Sequence, residues 1–194
     1  ALEMSDIAKL LPERPPYAHK GTFGKLLLIA GSNGMAGAAF LSACAAYRMG
    51  AGLVRIYTTE DNRSILQQLI PEAIITTYRE YDEESLLSVL EWADAVCIGS
   101  GLGRSDVADL IVNTVLKEIN VPCLIDADGI NILAAHPEWK DRLAEGNYVL
   151  TPHLKELSRL TGWPVSEIQM HRREVLEQTV RALDVTLVQK DART

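Results

Sequence analysis

The feature that most constrains the fold is a regular alternation of short apolar runs with longer segments of helical periodicity. The runs are four to six residues long, and several are bounded by glycine or proline, which is typical of strands buried on both faces. They predict strands at 25–30, 54–58, 73–77, 95–98, 122–125, 147–150 and 186–189. Helical spacing predicts helices at 38–49, 62–69, 82–92, 106–118, 155–161 and 171–183. This rhythm indicates right-handed βαβ units, so we predict an α/β fold with a mainly parallel central sheet and helices on both faces.

Composition narrows the class of protein. A chain of 194 residues with 47% hydrophobic and 23% charged residues suits a single domain over 1–194. The net charge of −7 argues against nucleic acid as a partner. No apolar stretch reaches the roughly 18 residues of a membrane span, and the N-terminus has no signal-peptide pattern, so we expect no membrane partner and a cytoplasmic location.

The cysteines carry no metal or disulfide pattern. Cys44, Cys97 and Cys123 are widely spaced, and each lies in an apolar run. No Cys-x-x-Cys pair or Cys/His cluster has the spacing of a zinc site. We interpret the three as buried structural thiols in a reducing compartment.

Polar residues and glycines follow five of the predicted strands at the point where each strand ends. In an open parallel sheet these carboxyl ends meet at one edge, where ligands bind, so the sequence predicts one continuous crevice. The five segments are GSNGMAGA (31–38), GSGLG (99–103), DADG (126–129), TPH (151–153) and KDART (190–194).

Two of these segments are glycine-rich turns that enter helices. Such turns bring backbone N–H groups close to phosphate, which suggests two phosphate-bearing groups or one long dinucleotide. Neither is a Walker A loop, and GSGLG is an incomplete dinucleotide fingerprint. A tight strand-to-helix connection explains either turn equally well.

Three further side chains have two interpretations each. Asp126 and Asp128 could hold Mg²⁺ through water or orient a ribose, or could cap the helix that follows. His153, three residues before Glu156, could contact a ligand or be an ordinary surface histidine. His136, His171, Arg172 and Arg173 are interpreted as surface residues.

At this point the residues carry a resemblance. The ordered set HKGTFG (19–24), GSNGMAGAA (31–39), RMGAGLVRI (48–56), GSGLG, DADG, TPHLKE (151–156) and KDART resembles the NAD(P)H-hydrate dehydratase family of the ribokinase-like superfamily. The resemblance runs from about His19 to Thr194. It implies a three-layer ribokinase-like fold and a hydro-lyase that uses ADP or ATP, with Mg²⁺, to convert S-NADHX and S-NADPHX to NADH and NADPH.

The resemblance also implies roles for residues. Ala38, Gly101, Gly103 and His153 would contact the hydrated dinucleotide, and Glu156 would help organise Mg²⁺ or phosphate. The adenine nucleotide's phosphates would be held by Lys190, Asp191, Ala192, Arg193 and Thr194. A homo-oligomer is implied as well.

The sequence departs from the family pattern in three places. GSGLG stands where GPGLG is common, and Lys190-Asp191 stands where many relatives have Lys-Gly, which adds a negative charge near phosphate. The GxGD motif, whose aspartate would act on the attacking hydroxyl, does not occur. We therefore assign no catalytic residue, regard the domain as lacking its C-terminal part, and expect the 194-residue polypeptide to be inactive or nearly so.

Other functions stay open. A small-molecule kinase of the same fold would yield a stable phosphorylated product, although His153 and the first glycine turn disfavour it. A non-catalytic nucleotide-binding module would bind ADP without turnover. A Rossmann dehydrogenase is disfavoured because no acidic residue follows a complete GxGxxG at the required distance.

Overall fold

Seven parallel strands form the centre of the molecule. The computed structural model describes Asp6 and residues 15–191. The strands are β1 (Lys25–Ile29), β2 (Leu53–Thr59), β3 (Ile74–Tyr78), β4 (Ala95–Ile98), β5 (Cys123–Ile125), β6 (Tyr148–Leu150) and β7 (Thr186–Leu187). They form one sheet in the order β3-β2-β1-β4-β5-β6-β7, and every pairing is parallel. The predicted α/β class and parallel sheet are confirmed.

Helices follow most strands, as predicted. They are α1 (Ala36–Arg48), α2 (Arg63–Leu69), α3 (Glu83–Trp92), α4 (Asp106–Glu118), α5 (Asp128–Ala135), α6 (Leu154–Thr161), α7 (Val165–Met170) and α8 (Arg172–Leu183). Short 3-10 helices occupy Lys20–Phe23, Glu60–Asn62 and Pro137–Glu145. Capping fixes two starts, since the side chains of Asp82 and Ser105 accept hydrogen bonds from backbone N–H groups in the first turns of α3 and α4.

Two apolar cores lie on opposite faces of the sheet. On one face, small residues of α1 (Ala36, Ala39 and Ala43) allow that helix to pack closely on Leu28 and Ile56. The larger core lies on the other face and joins buried residues of β1, β4, β5 and β6 to α3, α4 and α5. The three layers expected from the resemblance are therefore present.

Helices flank both faces of the sheet, as predicted, and part of one face is open. Cys97, Leu124 and Val149 lie side by side on β4, β5 and β6 and are only half-buried. Together with Ala45 of α1 and Met49, which follows that helix, they line an open, largely apolar trough of about 540 Å³. Within the described part of the chain, this trough leaves one face of these three strands uncovered.

Chain order places the ligand edge at the centre of the sheet. From β1 the chain proceeds to β2 and β3 on one side, and then returns to β4 on the other side. The helices that leave β1 and β4 consequently pack on opposite faces, which opens a crevice between the carboxyl ends of these strands. Over the residues described, no helix is long and apolar enough to span a membrane.

Candidate functional site

The crevice begins where the turns after β1 and β4 meet. The backbone N–H of Gly31 donates to the carbonyl of Ser100 at 3.0 Å, and that of Ser32 donates to the carbonyl of Gly101 at 2.6 Å. Two neighbouring strand ends are thus continued by two turns that are hydrogen-bonded to each other. We call residues 31–38 and 99–103 the glycine half of the crevice.

Three predicted substrate contacts meet in the glycine half. A Cβ atom on Gly101 would lie only 2.7 Å from Cβ of Ala38, and the φ of Gly101 is +62°. Gly103 has a φ of +78°, and a Cβ there would lie 3.3 Å from Ser32. The structure therefore brings Ala38, Gly101 and Gly103 together and explains why two of them are glycine.

The first turn of α1 faces open space beside this contact. A Cβ on Gly37, in this first turn, or on Gly34, two residues before the helix, would meet no atom within 4 Å. The leading N–H groups of a helix have no partner within the helix, and the helix dipole adds partial positive charge there. An anionic group such as a phosphate could therefore approach the backbone at this end of α1.

The DADG turn after β5 is docked directly against the turn after β4. A Cβ on Gly99, whose φ is +121°, would lie 1.9 Å from the carbonyl oxygen of Asp126. The N–H of Asp128 donates to the carbonyl of Gly99 at 3.2 Å, and its carboxylate accepts from the N–H of Gly103 at 2.9 Å. Only glycine at position 99 permits so close an approach of the two backbones.

The interpretation of the two aspartates as helix caps is wrong. The residue at the N-cap of α5 is Ala127, with a φ of +48°, and no side chain caps the helix. The carboxylate of Asp128 instead holds Gly103, and that of Asp126 points to the neighbouring strand ends. Positive φ is unusual for a residue other than glycine, and such strain often occurs at functional sites.

Asp126 organises the other half of the crevice, which we call the charged half and define as Asp126, Thr151 and Lys190. The hydroxyl of Thr151 donates to Oδ1 of Asp126 at 2.7 Å, and the Lys190 ammonium donates to the same oxygen. Burial acts to raise the pKa of Asp126. The hydrogen bonds from Lys190 and Thr151 and the charge of Lys190 outweigh it, so that pKa lies below its usual value.

Lys190 is placed by the backbone beyond β6. Its N–H donates to the carbonyl of Pro152 at 2.8 Å, and it forms an isolated parallel bridge with His153. The chain thus continues past β7 along the sheet edge and brings the start of the predicted nucleotide loop beside His153. Ala192, Arg193 and Thr194 lie outside the described residues.

His153 and Glu156 form a capping box at the start of α6. Nδ1 of His153 accepts from the backbone N–H groups of Lys155 and Glu156, at 3.1 and 3.2 Å. The buried carboxylate of Glu156 accepts from the N–H of His153 at 2.8 Å, and its other oxygen lies 3.2 Å from Nε2. The histidine ring is about half exposed, so it can contact a ligand while Glu156 holds it in place.

The aspartate that departs from the family pattern has a cationic partner. The Arg172 guanidinium, at the start of α8, donates to the carboxylate of Asp191. This pair offsets the negative charge that Asp191 adds to the nucleotide loop. Arg172 therefore has a partner at the site, whereas its neighbour Arg173 pairs with Glu177 within α8.

No individual role was predicted for three residues of the site. Ser100 and Thr151 lie in the predicted crevice segments after β4 and β6 and contact Asp126, so their position at strand ends is the feature that could have identified their role. Arg172 has no such feature, because its pairing depends on how α8 packs. Within residues 15–191, no three His, Cys, Asp or Glu side chains form a group that could hold a metal ion.

Comparison with known proteins gives one consistent result. The family model for NAD(P)H-hydrate dehydratase matches residues 26–194. The bifunctional NAD(P)H-hydrate repair enzyme Nnr of Coxiella burnetii is 37% identical over 100% of this chain and 38% of its own length. The ADP-dependent (S)-NAD(P)H-hydrate dehydratase of Bacillus subtilis is 36% identical over 95% of this chain and 64% of its own length.

Solved structures agree with the sequence relatives. The ADP/ATP-dependent NAD(P)H-hydrate dehydratase of Bacillus subtilis, co-crystallised with ATP and Mg²⁺, superposes with a TM-score of 0.78 at 30% identity, covering 98% of this chain and 66% of that one. A ribokinase-like superfamily protein of Enterococcus faecalis gives 0.79 at 28% identity, covering 92% and 61%. The chain spans between about one third and two thirds of the length of the relatives it matches.

Proposed function

Because this chain belongs to the NAD(P)H-hydrate dehydratase family, we propose that its crevice serves the nucleotide-dependent dehydration of S-NADHX and S-NADPHX to NADH and NADPH. The observation that carries the proposal is the contact between the two halves of the crevice. Ser100, in the turn that carries the expected dinucleotide contacts Gly101 and Gly103, donates to Asp126 at 3.4 Å. Asp126 in turn binds Lys190 of the nucleotide loop. A dinucleotide and an adenine nucleotide could therefore meet at one edge of the sheet.

In this proposal the glycine half holds the hydrated dinucleotide. The open first turn of α1 would accept a phosphate of that substrate, and the close contact of Ala38 with Gly101 would shape the adjoining wall. His153 would face the hydrated ring from the far side of the crevice. Its ring is oriented by Glu156, so it would bind substrate without first having to become ordered.

The charged half would hold the adenine nucleotide. Lys190 carries a positive charge that attracts phosphate, and its pairing with Asp126 keeps the ammonium at the crevice. Arg172 offsets the charge of Asp191. Lys190 to Thr194 would together surround the phosphates, as the resemblance implies.

The described carboxylates do not form a magnesium site by themselves. Asp126 and Asp128 are committed to Lys190 and Gly103, and both oxygens of Glu156 face His153. Mg²⁺ accompanying the nucleotide would be held mainly by phosphate oxygens and water, as is usual for this ion. Glu156 remains the residue of the protein that we propose to help organise Mg²⁺ or phosphate. It would do so indirectly, by holding His153 in place.

Recovery of NADH absorbance from purified NADHX tests the function. The natural-length protein is incubated with ADP or ATP and Mg²⁺, and a parallel sample lacks nucleotide. Recovery that requires nucleotide supports the dehydratase. A stable phosphorylated product would indicate a kinase instead, and ADP binding without turnover would indicate a non-catalytic module.

The family resemblance also leads us to propose that the protein is a homo-oligomer in the cytoplasm. Light scattering of the purified protein tests the first statement, and fractionation of the source cells tests the second. A monomer at working concentration would contradict the first.

A further inference from the structure

Two buried polar side chains support the turn after β1, and the proposed function assigns them no role. Thr58 lies near the end of β2, and Asn62 closes the 3-10 helix Glu60–Asn62. They are 0% and 1% exposed. Burying a hydroxyl and an amide in this way costs free energy unless both form hydrogen bonds.

Their hydrogen bonds converge on the glycine turn. The Thr58 hydroxyl donates to the carbonyl of Gly31 at 2.7 Å. Nδ2 of Asn62 donates towards the carbonyls of Gly31 and Ser32, both at 3.1 Å, and towards the Thr58 hydroxyl at 2.9 Å. Both side chains therefore donate hydrogen bonds to the backbone of the same turn, and Asn62 also donates to Thr58.

These contacts hold the turn on the side opposite the turn after β4. We call the hydrogen bonds from Thr58 and Asn62 to Gly31 and Ser32 the grip. The N–H groups of Gly31 and Ser32 donate to the turn after β4, and their carbonyls accept from Asn62, with Thr58 also bonding that of Gly31. The fit is close, since a Cβ on Gly31 would lie 3.1 Å from Asn62 Nδ2 and 3.2 Å from Thr58 Oγ1. With residues 31 and 32 fixed on both sides, the start of α1 is held at a set distance from Gly101.

We infer that Thr58 and Asn62 are positioning residues that hold the glycine half in its substrate-binding arrangement. They touch the turn and not the substrate, so they act on affinity for the hydrated dinucleotide. The inference rests on the proposed function for the identity of that ligand. The grip itself depends only on the hydrogen bonds to Gly31 and Ser32.

Near-isosteric variants of the natural-length protein test the inference. Thr58→Val removes the hydroxyl and keeps the shape, and we expect the KM for NADHX to rise about fivefold. Asn62→Asp removes every donor of the side chain, and we expect a rise of about thirtyfold. The KM for the nucleotide and kcat should stay within about twofold, because the charged half is untouched.

Two control variants separate positioning from general destabilisation. Thr58→Ser keeps the hydroxyl, so it should restore the KM for NADHX. Thr179→Val removes another buried hydroxyl, which bonds the carbonyl of Val175 within α8. That variant should lower the melting temperature without changing the KM. Equal rises in both KM values, or the same rise in Thr179→Val, would overturn the inference.

Amide hydrogen exchange decides the question even if the protein does not turn over NADHX. Loss of the grip should speed exchange in a peptide covering 31–38 about tenfold in Thr58→Val, and leave it unchanged in Thr58→Ser and Thr179→Val. Absence of turnover in the unmodified protein would refute the proposed function alone. Unchanged exchange in Thr58→Val would refute the grip alone, and Asn62→Asp checks the same peptide should it remain folded.

Discussion

The two halves of the crevice are held together by different kinds of interaction. In the glycine half, backbone meets backbone, through the hydrogen bonds of Gly31 and Ser32 to the turn after β4 and the approach of Gly99 to Asp126. In the charged half, side chains from β5, β6 and the segment after β7 meet at one carboxylate. The first half depends on steric fit, which has little tolerance, and the second on charge, which pH and salt can adjust.

The largest effect is expected from adding one carbon atom to the glycine half, which tests its dependence on steric fit. In Gly99→Ala the new Cβ would lie 1.9 Å from the Asp126 carbonyl, at a φ of +121° that alanine rarely adopts. Because backbone must shift in both turns, we expect a loss of about 4 kcal/mol in the free energy of unfolding. Chemical denaturation followed by circular dichroism measures it.

Gly34→Ala is the matched control for this change. Gly34 also has positive φ, at +80°, but a Cβ there would meet nothing within 4 Å. We expect a loss of about 1 kcal/mol, from backbone conformation alone. If the two alanine variants were equally stable, steric fit between the turns would not be what holds the glycine half together.

The charged half should respond to acid. The pKa of Asp126 is lowered, so its carboxylate stabilises the fold above an ordinary aspartate pKa of about 3.9, and that contribution disappears as the pH falls through the lower folded value. We expect Asp126→Asn to lose about 2 kcal/mol at pH 7, a figure that allows for the partial exposure of Lys190.

Unfolding of both proteins between pH 7 and pH 3 measures this dependence. The difference in stability should be constant down to about pH 5 and then shrink as the carboxylate is protonated. A difference that stays constant down to pH 3 would mean that the charge of Asp126 contributes nothing. The pairing would then be one of shape, like that of the glycine half.

The contrast also explains what the sequence could predict. Ala38, Gly101 and Gly103 could be grouped before the structure because parallel strands end at one edge and glycines mark the turns. The junction of Gly99 with the DADG turn could not, since it depends on β4 lying beside β5. Asp126 and Lys190 are 64 residues apart, and nothing local to either residue specifies their contact.

Smaller misses have local causes. α7 has six residues, less than two turns, so its periodicity was too short to detect. The roles of individual side chains were predicted only by resemblance. The pairing of Arg172 with Asp191 could not be predicted in that way, because many relatives have glycine where this chain has Asp191.

Arg172→Ala sharpens the comparison at the edge of the charged half. Without the guanidinium, the carboxylate of Asp191 loses a cationic partner beside the phosphates. We expect ADP to bind about fivefold more weakly at low salt, and less so at high salt, because the pair is partly exposed and screened. Arg173→Ala is the control, since its partner Glu177 lies on the same helix. Calorimetric titration should show an unchanged ADP affinity in Arg173→Ala. An equal loss of ADP affinity in both variants would mean that only the net charge of the protein matters.

The smallest effect concerns Glu156, where the comparison predicts that shape and charge can be separated. Glu156→Gln keeps an oxygen that can accept from the N–H of His153, so we expect its stability to match the parent within error. Glu156→Ala loses that bond and should cost about 0.5 kcal/mol, because His153 still caps the helix itself. Thermal unfolding gives both values.

The Mg²⁺ concentration needed for half-maximal turnover then distinguishes the two roles of Glu156. If the carboxylate only supports His153, this Mg²⁺ concentration should be unchanged in Glu156→Gln. A large increase in Glu156→Gln, matched in Glu156→Ala, would show that the negative charge acts on Mg²⁺.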